Sequence, residues 1–152
     1  MIQSFFLFAE DDDDDWFLIQ ESFDDIADDT TVQIRMDRVK DGLELLQRLE
    51  DPKRAQPDLI LMDLKMPKIN GHEALDAIRA KSEWRHLPVV ILTTSTSERD
   101  RYTSYYKGAN SYLVKPLTTE AARTLRNYWL DVSRLPCNNC GDSCLEYGCP
   151  NR

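Results

Sequence analysis

Several apolar runs in this chain end in a residue able to do chemistry. Gln3–Ala9 runs into Glu10, Asp11 and Asp12, and Asp58–Met62 into Asp63. Pro88–Thr93 closes on Thr93 and Thr94, and Ser111–Val114 on Lys115. If these runs are strands with a common direction, their far ends share one pocket holding several carboxylates, a hydroxyl and an ammonium. Clustered carboxylates repel one another, and their pKa values rise unless a cation joins them. Mg²⁺ suits such a set, because it takes oxygen ligands, needs one or two carboxylates and keeps several waters. A metal there also neutralises an incoming phosphoryl group. Asp63 can then attack phosphorus as a nucleophile and form an aspartyl phosphate. Lys115 supplies positive charge to the phosphoryl oxygens and Thr93 a donor hydroxyl. Catalysis of this kind is mostly positioning and charge stabilisation.

The elements that must position these residues are legible in outline. Gln3–Ala9 reads as a buried strand. A helix follows with Leu18, Ile19, Ser22, Phe23 and Ile26 at helical spacing, and its acidic start suits the helix dipole. Thr31–Met36 is a weaker strand. Asp41 can cap a helix carrying Leu43, Leu46 and Leu49, with Pro52 beyond its end. Asp58–Met62 is a continuous apolar strand, and Lys65–Gly71 is a loop by its Pro, Asn and Gly. Then come a helix bearing Ala74, Leu75 and Ile78, the strand Pro88–Thr93 and a helix over Ser97–Lys107. The strand Ser111–Val114 precedes a last helix from near Thr118, striped with Ala121, Ala122, Leu125, Tyr128, Trp129 and Val132. Strand and helix alternate five times. Continuous apolar strands point to a parallel sheet buried on both faces, and the alternation to a doubly wound α/β fold. Ligands in such folds sit beyond the carboxyl ends of the strands.

Composition excludes other classes. The 152 residues are 41% hydrophobic and 30% charged, as in an ordinary globular domain. The net charge of -8 argues against binding nucleic acid or an anionic membrane. No apolar run nears the roughly 18 residues of a membrane span. The start, Met1–Phe8, lacks the basic flank of a signal peptide, so a cytoplasmic protein is expected. The body, 1–136, ends near Pro136. Segment 137–152 carries Cys137, Cys140, Cys144 and Cys149, too compressed for an ordinary zinc site, and is expected to be a flexible tail of reduced thiols.

Five pieces in order carry a resemblance: Phe8-Ala9-Glu10-Asp11, Leu59 through Pro67 around Asp63, Asn70-Gly71, Val90 through Thr94, and Tyr112 through Pro116. Over roughly residues 3–133 the chain resembles the response-regulator receiver domain of two-component signalling. Leu18-Ile19-Gln20-Glu21, Thr93-Thr94-Ser95 and Tyr128-Trp129-Leu130 further resemble the small stand-alone regulators associated with bacterial phytochrome kinases. The resemblance implies a flavodoxin-like fold, five parallel strands in the order 2-1-3-4-5 with helices on both faces. It implies that Asp63 accepts a phosphoryl group from a sensor histidine kinase or phosphotransfer protein. Glu10, Asp11, Asp63 and the backbone carbonyl of Lys65 would hold Mg²⁺. Lys115 would contact the phosphate, with Thr93 as the switch hydroxyl and Tyr112 as the aromatic that changes rotamer. The run Glu10–Asp15 also admits a register in which Asp12 replaces Asp11. Output would pass through protein–protein contact, with a homodimer through the fourth helix, fifth strand and fifth helix.

The bland readings differ residue by residue. Asp13–Asp15 read as a solvated helix start, His72 and His86 as surface residues, and Trp84 as a packing residue. The rival function is a Mg²⁺-dependent, phosphatase-like phosphoryl-transfer enzyme on the same fold. The haloacid-dehalogenase phosphatases that such an enzyme would resemble carry a second acid two residues after the nucleophile, where this chain has Lys65.

Overall fold

The computed structural model describes residues 2–27 and 32–132. Ten elements alternate along them: β1 (Ile2–Ala9), α1 (Asp13–Asp24), β2 (Val32–Val39), α2 (Gly42–Glu50), β3 (Leu59–Met62), α3 (Gly71–Ala80), β4 (Val89–Thr93), α4 (Glu98–Tyr106), β5 (Ser111–Val114) and α5 (Thr119–Val132). The strands form one sheet in the order β2-β1-β3-β4-β5, every neighbouring pair parallel. This is the flavodoxin-like arrangement that the resemblance implies. The boundary at Pro136 and the cysteines at 137, 140, 144 and 149 lie outside the described residues. No described helix is long and apolar enough to cross a membrane.

The continuous apolar strands are explained by two cores, one on each face of the sheet. Phe5, Leu7 and Ala9 of β1 join Ile60, Met62 and Ile91 in a core closed by Leu45 and Leu49 of α2 and by Ala74, Leu75 and Ile78 of α3. Their neighbours Phe6 and Phe8 join Leu59, Leu61 and Leu92 under Ile19 and Phe23 of α1 and Ala122 and Leu125 of α5. Side chains alternate across a strand, so a strand covered on both faces must be apolar at every position.

Several details depart from the sequence reading. β2 runs three residues past Met36, because it pairs with β1 in unbroken register from Ile2↔Val32 to Ala9↔Val39. In α2 the buried positions are Gly42, Leu45, Arg48 and Leu49, whereas Leu43 faces solvent. The Arg48 guanidinium lies 5.3 Å above the Phe5 ring, so its stem and head cover apolar surface. Leu18 is likewise exposed, and Ser22 is buried because its hydroxyl donates to the Leu117 carbonyl at 2.7 Å. Trp84 packs in the core as expected, with the Lys81 ammonium 3.9 Å from its ring. His86 is exposed, but His72 is half-buried and bonded through Nε2 to the Ser104 hydroxyl at 2.9 Å. That contact depends on the packing of α4 against α3, which no local signal announces.

Candidate functional site

The sheet carries its ladder one residue past β1, β3 and β5, and those residues form the site. The Glu10 amide donates to the Val39 carbonyl at 3.0 Å, the Asp63 amide to the Ala9 carbonyl at 3.1 Å, and the Lys115 amide to the Thr93 carbonyl at 2.8 Å. Parallel strands in register therefore place Glu10, Asp63 and Lys115 at the carboxyl end of the sheet, although they are far apart in sequence. Glu10 is 2% exposed, Asp63 7% and Thr93 0%.

The Lys115 ammonium is the hub. It donates to Asp63 Oδ2 at 2.8 Å, to Asp15 Oδ2 at 2.9 Å and to Glu10 Oε2. Glu10 Oε1 accepts from the Asp12 amide at 3.1 Å, and Asp63 Oδ1 from the Lys65 amide at 3.3 Å. Burial raises the Glu10 carboxyl above its ordinary pKa, against the opposing pull of the Lys115 hydrogen bond. Burial pulls the Lys115 ammonium down, but hydrogen bonds to Asp63, Glu10 and Asp15 outweigh it and hold the group protonated well above the ordinary lysine range.

Glu10, Asp11 and Asp63 each bring a carboxylate oxygen to a common point, all within 4.8 Å of one another. The set is made of hard oxygen donors, and exposed Asp11 leaves one side open to water. Both features suit a hydrated divalent cation such as Mg²⁺ or Mn²⁺. Asp12 stands elsewhere: it is the N-cap of α1, and its Oδ1 accepts from the Asp15 amide at 2.9 Å. Asp13 is exposed, held by Arg38 at 2.7 Å and by Lys40 at 3.3 Å. These two cations, the Arg38 hydrogen bonds first, draw its carboxyl below the usual range.

Thr93 and Tyr112 stand one layer away. Thr93 Oγ1 accepts from the Ser95 amide at 3.4 Å. Tyr112 is buried, with its hydroxyl donating to the Ser95 carbonyl at 2.9 Å and its ring 5.3 Å from the Arg101 guanidinium. Its ring is thus already packed inward, and it shares Ser95 with Thr93.

Sequence reasoning missed three participants. Asp15 reaches Lys115 from the first turn of α1. Arg38 fixes the acidic loop, its Nε donating to the Glu10 carbonyl at 2.8 Å. Ser95 joins the switch candidates. None of the three leaves a local signal in the sequence: each contact depends on how separate elements seat against one another.

Comparison with known proteins agrees with this geometry. The family model described as the response regulator receiver domain matches residues 7–126. The response regulator Rcp1 of Synechocystis is 33% identical over 138 residues, covering 86% of this chain and 91% of its own. The solved structure of the phosphorylated cyanobacterial phytochrome response regulator RcpA superposes with a TM-score of 0.78 at 32% identity, covering 89% of this chain and 99% of that one. The Mn²⁺-bound form of Rcp1 superposes with a TM-score of 0.75 at 31% identity, covering 88% and 99%.

Proposed function

The chain belongs to the response regulator receiver domain family, and from that premise we propose that Asp63 is the residue that takes the phosphoryl group. It is a signalling protein phosphorylated by a histidine kinase, not a classical enzyme. The observation that carries the assignment is the shared position of Asp63: it lies in the Glu10–Asp11–Asp63 oxygen cluster and on the Lys115 ammonium at once. In the step proposed, an Asp63 carboxylate oxygen bonds to phosphorus as the P–N bond of the kinase phosphohistidine breaks. The bonding pair leaves with the imidazole nitrogen. Lys115 turns donors toward the phosphoryl oxygens, and the buried Thr93 hydroxyl offers another.

Glu10, Asp11, Asp63 and the Lys65 carbonyl are proposed to hold the metal, which we take to be Mg²⁺. A cation there supplies neutralising charge for the phosphoryl oxygens. The engagement of Asp12 as the α1 cap favours Asp11 as the ligand. A kinase of the phytochrome type is the proposed partner, since the phosphorylated RcpA is itself a phytochrome response regulator. The phosphatase-like alternative is left without its second acid, because Lys65 stands at that place.

Output is proposed to pass through α4, β5 and α5. Tyr102 and Tyr106 of α4 are 71% and 81% exposed and stack with centroids 6.1 Å apart, and Tyr105 and Tyr128 are also exposed. Aromatic side chains of this kind anchor interfaces, so this face suits a second copy. Sedimentation with and without a phosphoryl mimic should show a shift toward dimer that Thr93→Ala abolishes. For the phosphoacceptor, the protein is incubated with Mg²⁺ and acetyl phosphate and read by intact mass and peptide mapping. One phosphoryl group on Asp63, absent in Asp63→Asn, is expected; stable modification of a serine, threonine or histidine instead would sink the assignment.

A further inference from the structure

Lys115 has three N–H donors, and in this structure carboxylates take all of them. Glu10 and Asp63 lie in the site just described. Asp15 comes from a different element, the first turn of α1, and its side chain is 33% exposed while that of Lys115 is 6% exposed. We propose that Asp15 is a positioning residue for Lys115, tethering the ammonium toward α1 and weakening the site for the phosphoryl group by its own charge. The proposal rests on the reading of Asp63 as phosphoacceptor and says what regulates that site.

The argument is one of donors and charge. Asp15 Oδ2 and Asp63 Oδ2 are bonded to the same nitrogen, at 2.9 and 2.8 Å, so the two carboxylates are close neighbours. A phosphoryl group brings close to two negative charges and three acceptor oxygens to Asp63. It must recruit a Lys115 donor while Asp15 retains one. It must also stand near the Asp15 carboxylate, which repels it. A divalent cation at Glu10, Asp11 and Asp63 feels the opposite sign and gains slightly from the same carboxylate. Asp15 is thus expected to act in opposite directions on the anion and on the metal. A merely structural residue moves both affinities the same way.

Substitution is mild here, because the α1 cap uses the backbone amide of Asp15 and not its side chain. The test measures beryllium fluoride binding in saturating Mg²⁺, and separately Mn²⁺ binding by quenching of tryptophan fluorescence. Wild type, Asp15→Asn and Asp15→Glu are compared. Asp15→Asn should bind beryllium fluoride roughly threefold or more tightly, the effect of removing one nearby charge in a partly solvated setting. Its Mn²⁺ affinity should be slightly weaker, and Asp15→Glu should restore wild-type behaviour in both. Equal or weaker beryllium fluoride binding by Asp15→Asn, with wild type binding normally, overturns this proposal alone. Failure of the wild type to bind beryllium fluoride at all overturns the phosphoacceptor reading and this proposal with it.

Discussion

The carbonyl oxygen of Asp63 lies 2.4 Å from where a β-carbon would stand at Gly71, and the Leu64 Cα lies 2.8 Å from the same point. The Gly71 amide donates to the Leu64 carbonyl at 2.9 Å, so the loop after β3 closes tightly beneath the proposed phosphoacceptor. Two effects compete in Gly71→Ala. Alanine favours helix by about 1 kcal/mol over glycine. The clash is with backbone and cannot be relieved without moving Asp63, and overpacking of this kind costs about 1–3 kcal/mol. The clash should win. Urea denaturation should show a lower midpoint, and phosphoryl uptake from acetyl phosphate should slow. An unchanged or raised midpoint would show that the loop yields freely.

Asp11 and Asp12 should separate two properties. Asp11→Asn should weaken Mn²⁺ binding with little change in stability, because Asp11 is exposed and belongs to the oxygen cluster. Asp12→Ala should instead lower stability by about 1 kcal/mol through loss of the N-cap, with a smaller effect on the metal. Titration of metal alongside thermal unfolding of both variants distinguishes them. The reverse assignment of effects would put Asp12 at the metal and shift the acidic register by one.

What the sequence revealed follows from what each residue's role depends on. β1, β3 and β4 were legible because burial on both faces forces unbroken apolar runs, as in Leu59–Met62. Parallel topology then gathered Glu10, Asp63, Thr93 and Lys115 without any knowledge of side-chain direction. β2 was only partly legible, because it is an edge strand whose Arg35, Asp37 and Arg38 interrupt the apolar pattern. The reach of Asp15 to Lys115 depends on how α1 seats on the sheet. The bond of His72 to Ser104 depends on the fit of α4 against α3. Neither leaves a periodicity to read.

The cap of α2 makes a pH-dependent contribution. Asp41 Oδ1 accepts from the Glu44 amide at 2.8 Å, and Oδ2 pairs with Lys68 at 3.0 Å. The Glu44 amide first, and then Lys68, hold the Asp41 carboxyl below its ordinary pKa. A depressed folded pKa stabilises the native state above the ordinary aspartate value of about 3.9. That contribution is lost as pH falls from there through the lower folded value. Asp41→Asn keeps a capping oxygen but cannot ionise. Its stability, followed by urea denaturation at several pH values, should fall less steeply than wild type below about pH 4. Parallel curves for the two proteins would assign the acid sensitivity to other carboxylates.

α4 is held differently from the other helices, and under the proposed switch it is where a change at Asp63 would be felt. The buried residue of α4 is Ser104, with no buried apolar side chain beside it, whereas α3 buries Ala74, Leu75 and Ile78. Ser104 donates to the Asp100 carbonyl at 2.7 Å and meets His72 at 2.9 Å. At the start of the helix, the Ser95 hydroxyl bonds Asp100, and the Tyr112 hydroxyl donates to the Ser95 carbonyl. Polar anchors exchange with water more readily than buried apolar surface, so α4 should open locally before α3. Ser95 also donates its amide to Thr93 at 3.4 Å, a long bond that would be lost cheaply if the threonine hydroxyl turns, as proposed, toward a phosphoryl oxygen. Tyr112→Phe removes one anchor of this segment and leaves the ring packing in place. Losing a hydrogen bond worth about 1 kcal/mol should speed exchange of α4 amides roughly fivefold. Hydrogen–deuterium exchange resolved by peptide should show that increase in α4 with α3 unchanged. Equal exchange in wild type and variant would mean that the hydroxyl does not hold the helix, and that a phosphoryl signal must leave Thr93 by another route.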